Sequence, residues 1–273
     1  MNSTTINCTL FVVITYLLTC IMAWSLPPEY VTLATFVPAT VAILLTVYNK
    51  QKIRDLFKRS SLKNCLLGVI IPVVVFMLYS CMLLIITWLG FSFLNMKYTL
   101  EKVKDFSVAR ILFVLLVSFA IQIVCTLGEE IGWRSYLLKN LKSQIPNFYM
   151  RATVVGLIWG IWHIPLYKAI GPSFWEDGFT LPIICAFILA ICAYSIMFTW
   201  LFEKDNSVWP VNIAHATSNF FTQTFPLLFT TISLPVPNHV SIIGHILIAV
   251  AYFIVAMGVI WFDKTRGRRL SNS

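Results

Sequence analysis

Charge is what this chain has least of. Of its 273 residues only 11% are Asp, Glu, Lys or Arg, whereas 59% are hydrophobic, and a soluble domain carries about 25% charged residues. A soluble globular protein is thereby excluded, because much of the apolar surface must face lipid rather than a private core. Paired thiols are also missing. The seven cysteines stand singly along apolar runs, odd in number and without a CxxC, which excludes a disulfide framework and a thiolate metal site and leaves them as small packing residues. There is no HExxH helix signature, no internal repeat and no stretch with the composition of a separate soluble domain. Residues 1–273 therefore read as one integral-membrane domain. The first apolar run, Leu10 to Trp24, has no basic residues ahead of it and no small-residue cleavage site, and Leu17-Leu18-Thr19-Cys20 lacks a small residue before the cysteine. It is expected to stay as a helix, not to leave as a signal peptide.

What the chain does have is apolar runs of membrane-spanning length, about 20 residues each. Eight are legible, at 8–25, 30–48, 65–90, 107–130, 152–170, 180–202, 208–230 and 241–262. The expected fold class is all-α: a polytopic membrane helical bundle of about eight transmembrane helices. The net charge of +9 speaks of topology, not of nucleic acid. With the N-terminus in the cytoplasm, fifteen of the twenty Lys and Arg residues fall in inward loops or the C-terminus, leaving five (Lys97, Lys102, Lys104, Arg110 and Lys168) outside. The positive-inside rule then sets N-in and C-in. Within the connector Lys50 to Lys63, Ile53, Leu56 and Phe57 fall at i, i+3 and i+4. A short amphipathic helix on anionic headgroups is one reading; a topology-setting charged loop is the other. Gly171-Pro172 and Asp177-Gly178 mark a turn between the fifth and sixth spans.

Against this background a few polar residues stand out. Gly128-Glu129-Glu130-Ile131-Gly132-Trp133-Arg134 puts two carboxylates and a guanidinium at the end of the fourth span, where an ionised group costs about 2.5–3.5 kcal/mol on insertion scales. Glu130 and Arg134 are i, i+4 and suit an ion pair. Glu129 points about 100° away and is left for another neighbour. In the fifth span Gly156, Trp159, Gly160 and His163 form one stripe, the glycines allowing a close helix neighbour. His163 lies about 16 Å into the span, and Pro165 suggests a kink. In the seventh span His215 and Asn219 are i, i+4, with Asn212 one turn earlier and His215 roughly 10 Å in. Any one of these could be interhelical glue, worth about 0.6 kcal/mol per bond. Under a topology set by Lys and Arg alone, all fall in the inner half of the membrane, which unrelated glue has no reason to do. His239 and His245 lack carboxylate or amide partners at helical spacing and read as structural.

Taken in order, Glu129-Glu130-x-x-x-Arg134, an aromatic-x-x-x-His ending at His163, and His215-x-x-x-Asn219 resemble the three motifs of the CAAX prenyl protease and bacteriocin-processing family of intramembrane glutamate endopeptidases. The motifs and their spans form a signature core over residues 107–230. One departure is Trp159, where the family commonly has Phe. The resemblance implies that Glu129 and His163 activate a water, that His215 and Asn219 steady the oxyanion, and that Glu130 and Arg134 hold local structure or the substrate end. It implies peptide-bond hydrolysis near the cytoplasmic face without a cofactor, the cut being either removal of the C-terminal tripeptide of a prenylated CAAX protein or cleavage of a leader peptide, a pheromone precursor or a membrane anchor. The substrate would be a peptide or lipidated protein met in the bilayer, with no nucleic-acid partner. Its membrane would be the plasma membrane in a prokaryote and the endoplasmic reticulum in a eukaryote, with the site opening to the cytoplasm. The chemistry is sound in itself, since donors aimed at developing negative charge gain strength where water is scarce. No serine or cysteine with a base partner stands in a motif, so no covalent intermediate is expected.

Other readings stay open. Glu129, His163 and His215 could supply the one-carboxylate, two-histidine set of a zinc protease. A non-catalytic immunity or regulatory protein could use the same groups for packing, and a transporter could line its pathway with them.

Overall fold

The computed structural model describes residues 3–89, 97–98, 106–224, 230–231 and 236–265. It is an all-α polytopic bundle. Its elements are α1 (Ser3–Ser25), a 3-10 stretch (Pro28–Phe36), α2 (Val37–Tyr48), a 3-10 turn (Ile53–Leu56), α3 (Leu62–Trp88), α4 (Val108–Glu130), a π-helix (Ile131–Leu138), α5 (Lys139–Leu141), α6 (Phe148–Phe174), α7 (Leu181–Glu203), α8 (Val208–Asn219), a π-turn (Phe220–Thr224) and α9 (Asn238–Thr265). A two-residue antiparallel pairing joins Lys97–Tyr98 to Thr230–Thr231.

Among the described residues seven helical segments are long and apolar enough to cross a membrane, and they correspond to seven of the eight runs. The remaining run begins as α8, twelve residues long and buried along most of its length. Its stretch 225–229 lies outside the described residues.

Serine and asparagine start the helices where the chain turns back into the bundle. Ser61 Oγ accepts from the Asn64 amide, Ser107 Oγ from Arg110, Asn147 Oδ1 from Met150 and Ser207 Oγ from Trp209. Each satisfies one of the orphan N–H groups of a helix start.

Three local expectations are corrected. The second run is not one α-helix, because its first half is the 3-10 stretch. Pro38 has no N–H to offer the carbonyl of Ala34, which instead accepts from Val37 one residue earlier, the tighter i−3 bond of a 3-10 turn. The connector after α2 is not an amphipathic helix on the membrane surface. It makes a single 3-10 turn with Leu56 buried, and it docks on protein: the Leu56 carbonyl accepts from Ser135 Oγ at 2.7 Å and that of Lys58 from Ser207 Oγ at 2.7 Å. Finally, α6 continues through Gly171-Pro172 to Phe174, and the turn comes only at Asp177–Gly178, with φ +72° at Gly178. So near a helix end, Pro172 forfeits only the bond to the carbonyl of Lys168. The same helix also runs on past Pro165.

One end of the bundle is stitched by polar pairs. Thr5 donates to Gln144 and Asn7 to Asn49, Asn64 donates to Asp205 at 2.9 Å, Arg151 pairs with Glu203 and Lys204 with Asp263 at 2.7 Å. These contacts gather the starts of α1, α3 and α6 and the ends of α2, α5, α7 and α9. Both the first and the last described helix thus have their chain-terminal ends at the end where the basic loops lie. In the interior, α7 packs along α6 and α9, and α8 lies between α3 and α4.

Candidate active site

The fourth span does not stop at the paired carboxylates. The chain passes from α4 directly into a π-helix of eight residues and then α5, so Glu129 lies twelve residues before the end of one continuous segment, Val108–Leu141. At about 1.5 Å per residue the site is well inside the protein instead of at the end of its helix, as the run 107–130 had suggested. The π-helix is wholly buried, and such widened turns are frequent at functional sites. Close approach explains the flanking glycines. A Cβ on Gly132 would come within 2.4 Å of Pro38 Cβ and one on Gly128 within 2.6 Å of the Thr35 carbonyl. The backbone carrying the carboxylates therefore rests directly on the junction of the 3-10 stretch and α2.

The two carboxylates take different partners, as their helical angle requires. Glu129, 5% exposed, faces α6, where the indole Nε1 of Trp159 donates to its Oε2 at 2.7 Å. Glu130, 0% exposed, accepts at Oε1 from Arg134 Nη1 at 3.2 Å and bonds Nδ1 of His215 on α8 at 2.8 Å. The expected Glu130–Arg134 ion pair is present, Nη1 to Oε2 at 3.1 Å. Arg134 is itself fully buried, and its guanidinium carbon sits 4.4 Å from the centroid of Trp159 and 5.2 Å from that of Phe198, cation–π contacts to two neighbouring rings in a dry setting. Glu130 is therefore not only a local helix contact: it ties the first motif to the third.

His163 is fixed through its own helix. Its Nδ1 lies 2.8 Å from the carbonyl oxygen of Trp159. Because a carbonyl only accepts, Nδ1 must carry the proton, and a neutral His163 keeps its lone pair on Nε2. The ring stacks on Tyr167 at 5.6 Å and 17°, with Trp162 edge-on at 4.7 Å and Phe187 at 5.1 Å. Glu129 and His163 share no direct hydrogen bond among the described residues. Trp159 connects them, giving its indole proton to one and its carbonyl to the other. The glycine stripe has its expected effect, since Gly156 abuts Cys192 and Ser195, and Gly160 abuts Ile188, all on α7.

Asn219 stands slightly apart from this group. Its Nδ2 donates to Gln122 Oε1 at 3.3 Å, and its Oδ1 accepts from Gln223 at 3.4 Å. Asn212 on the same helix bonds Thr126 Oγ1 at 2.6 Å. The structure thus draws Glu129, Glu130, Arg134, Trp159 and His215 into one contact network, attaches His163 to it through Trp159, and places Asn219 one turn of α8 beyond His215. Two neighbours escaped the sequence reading. Gln122 lies seven residues before Glu129, and Tyr167 follows His163 by four. Each is a polar group at helical spacing from a motif residue, a signal that was there to be used. His245 bonds the Ser241 carbonyl of its own helix at 2.7 Å, in keeping with a structural role. All seven cysteines are free thiols; Cys125 is one turn before Glu129.

Among the described residues no three His, Cys, Asp or Glu side chains converge as a metal-binding group. Nδ1 of His163 and of His215 is bound, to Trp159 and Glu130 respectively, which leaves Nε2 of each ring for other partners.

No curated protein matches the chain. Residues 109–221 match the family described as type II CAAX prenyl endopeptidase Rce1-like. That stretch holds all three motifs, and it runs from the start of α4 to the turn after α8. With seven apolar helices of spanning length among the described residues, the chain is an integral multi-pass membrane protein that carries, over residues 109–221, a stretch similar to the Rce1-like type II CAAX prenyl endopeptidases, a family of membrane proteases.

Proposed function

We propose that the chain is a metal-independent glutamate endopeptidase that hydrolyses a peptide bond within the bundle, and that its substrates include prenylated CAAX proteins, from which it removes the C-terminal tripeptide. Glu129 is the general base. It takes a proton from a water that attacks the scissile carbonyl, and Nε2 of His163 is its partner in moving that proton. His215 and Asn219 serve the oxyanion. Since Nδ1 of His215 already donates to Glu130, donation to an oxyanion has to come from Nε2, which requires both ring protons with Glu130 as the counter-charge. The proton is then passed to the leaving amine, and the products are a carboxylate and the released peptide.

The observation that carries this reading is the division of labour between adjacent carboxylates: Glu130 is engaged by Arg134 and His215, while among the described residues Glu129 has a single donor, on one oxygen. A shallow apolar groove of about 310 Å³ lies on the outward face of α4, lined by Val117, Ala120, Ile121, Val124 and Cys125, the last of these one turn before Glu129. On this reading a hydrocarbon chain carried by the substrate would lie against that groove. The end of the bundle bearing Arg151–Glu203 and Lys204–Asp263 faces the cytoplasm on this reading, which agrees with the excess of Lys and Arg in the loops there.

The test is cleavage of a fluorogenic farnesylated CAAX peptide by the detergent-purified protein, beside folded Glu129→Ala and His163→Ala variants. Cleavage lost in both variants supports the assignment. Cleavage that survives both removes it, and a wild type that cuts neither this peptide nor an unprenylated leader peptide favours a non-catalytic immunity or regulatory role.

A further inference from the structure

Trp159 meets the catalytic groups in three ways at once. Its indole N–H is the sole hydrogen bond to Glu129 among the described residues, and it leaves Oε1 unbonded. Its carbonyl sets the tautomer of His163. Its ring, 1% exposed, is wedged between the Arg134 guanidinium at 4.4 Å, His215 at 5.1 Å edge-on and Phe198 at 6.1 Å, so the indole cannot swing away from the carboxylate. Aromatic bulk alone would account for the packing. It would not account for a 2.7 Å donor aimed at the base.

We propose that Trp159 is a positioning residue: the indole N–H holds Oε2 of Glu129 and thereby presents the other oxygen to the attacking water. Arg134, charge-balanced by Glu130, acts through it by clamping the ring. The proposal rests on Glu129 being the base and goes beyond that reading by assigning the group that orients it. A carboxylate free to rotate about its last torsion spends most of its time out of the attack geometry, and a misplacement of about 1 Å costs on the order of 100-fold in rate.

The experiment replaces only the N–H. Trp159 is exchanged by genetic-code expansion for benzothienylalanine, which has sulfur in place of the indole nitrogen and nearly the same shape; Trp159→Phe is made in parallel. Kinetics use the farnesylated CAAX peptide. Indole ¹⁵N–¹H spectra of the full chain in detergent, with the Trp159 peak identified by its loss in Trp159→Phe, are compared with those of Glu129→Gln. In the benzothienyl protein kcat is expected to fall roughly 10- to 100-fold, with KM within about threefold and the melting temperature retained. In Glu129→Gln the Trp159 peak is expected to move upfield, as the charge-assisted bond is lost. A benzothienyl protein with wild-type kcat overturns the positioning role, as does a loss confined to KM. A Trp159 peak indifferent to Glu129→Gln overturns it whatever the enzyme does to the peptide. A peak that moves in a wild type unable to cut the peptide upholds the hydrogen bond and refutes the proposed substrate.

Discussion

Nδ1 of His215 lies 2.8 Å from Oε1 of Glu130, joining residues 85 positions apart in a buried site. The same oxygen accepts from Arg134, so one carboxylate balances a guanidinium and orients an imidazole. Removing a single member of a buried, paired set leaves an uncompensated charge, which costs about 3–5 kcal/mol. Glu130→Ala should therefore lower the melting temperature sharply in detergent. Glu130→Gln keeps the shape and can still accept from His215; it should retain more stability but lose most activity, since it gives no counter-charge to an imidazolium. Glu130→Gln with wild-type turnover would show that His215 does not act as a charged donor.

Arg134→Lys should behave almost like Arg134→Ala. A lysine can balance Glu130 but cannot lay a planar guanidinium on the Trp159 ring. The expected result is loss of most activity in both variants, with Lys recovering part of the stability. Full rescue by lysine, read as kcat and melting temperature, would mean that charge is all the site asks of position 134.

At Gly132 the space is the argument. An added Cβ would lie 2.4 Å from Pro38 Cβ and 2.8 Å from the Pro38 carbonyl carbon, so the turn holding Glu129 and Glu130 must be displaced. Gly132→Ala should destabilise by roughly 1–3 kcal/mol, the usual range for overpacking. It should also reduce kcat more than Gly160→Ala, whose nearest neighbour, Ile188 Cγ1 at 3.2 Å, is a side chain able to yield. Thermal unfolding and turnover of the two variants decide the matter.

Gln122 should be coupled to Asn219. If the carboxamide of Asn219 serves the oxyanion, its removal should cost about 100- to 1,000-fold in kcat. Loss of its holder in Gln122→Leu should cost a smaller factor. Because both act through one bond, the double variant should be little worse than Asn219→Ala alone, whereas independent residues would multiply their effects.

On the proposed mechanism, in which Glu129 activates the water without a Lewis acid, a strong chelator should leave peptide cleavage within about twofold of the untreated rate, and zinc should not stimulate it. Loss of activity on chelation with recovery on zinc would transfer the protein to the metalloproteases.

The elements legible in the linear chain were those that lipid itself enforces. A hydrocarbon interior accepts only long apolar helices with their backbone bonds satisfied, and among the described residues seven of the eight runs have that form. The same intolerance made Glu129, Glu130, Arg134, His163 and His215 conspicuous, and the i, i+4 spacing of Glu130 and Arg134 was enough to foresee their ion pair. Illegible were departures from regular geometry. The 3-10 stretch before Pro38 and the π-helix from Ile131 to Leu138 depend on how backbone groups are satisfied against neighbours, and the hydrophobic pattern barely registers them.

Thus the amino-acid sequence by itself determined the membrane class, the places of seven long apolar helices, and which few polar residues had to be accounted for, because each follows from composition or helical period. Only the tertiary structure decided the pairing: Glu129 with Trp159, Glu130 with His215 as well as Arg134, and Asn219 with Gln122. Three of these four bonds cross between helices 30 to 97 residues apart in the chain. Which donor meets which acceptor at such separations is set by how the helices pack and rotate against one another, a property of the whole bundle that no local spacing encodes.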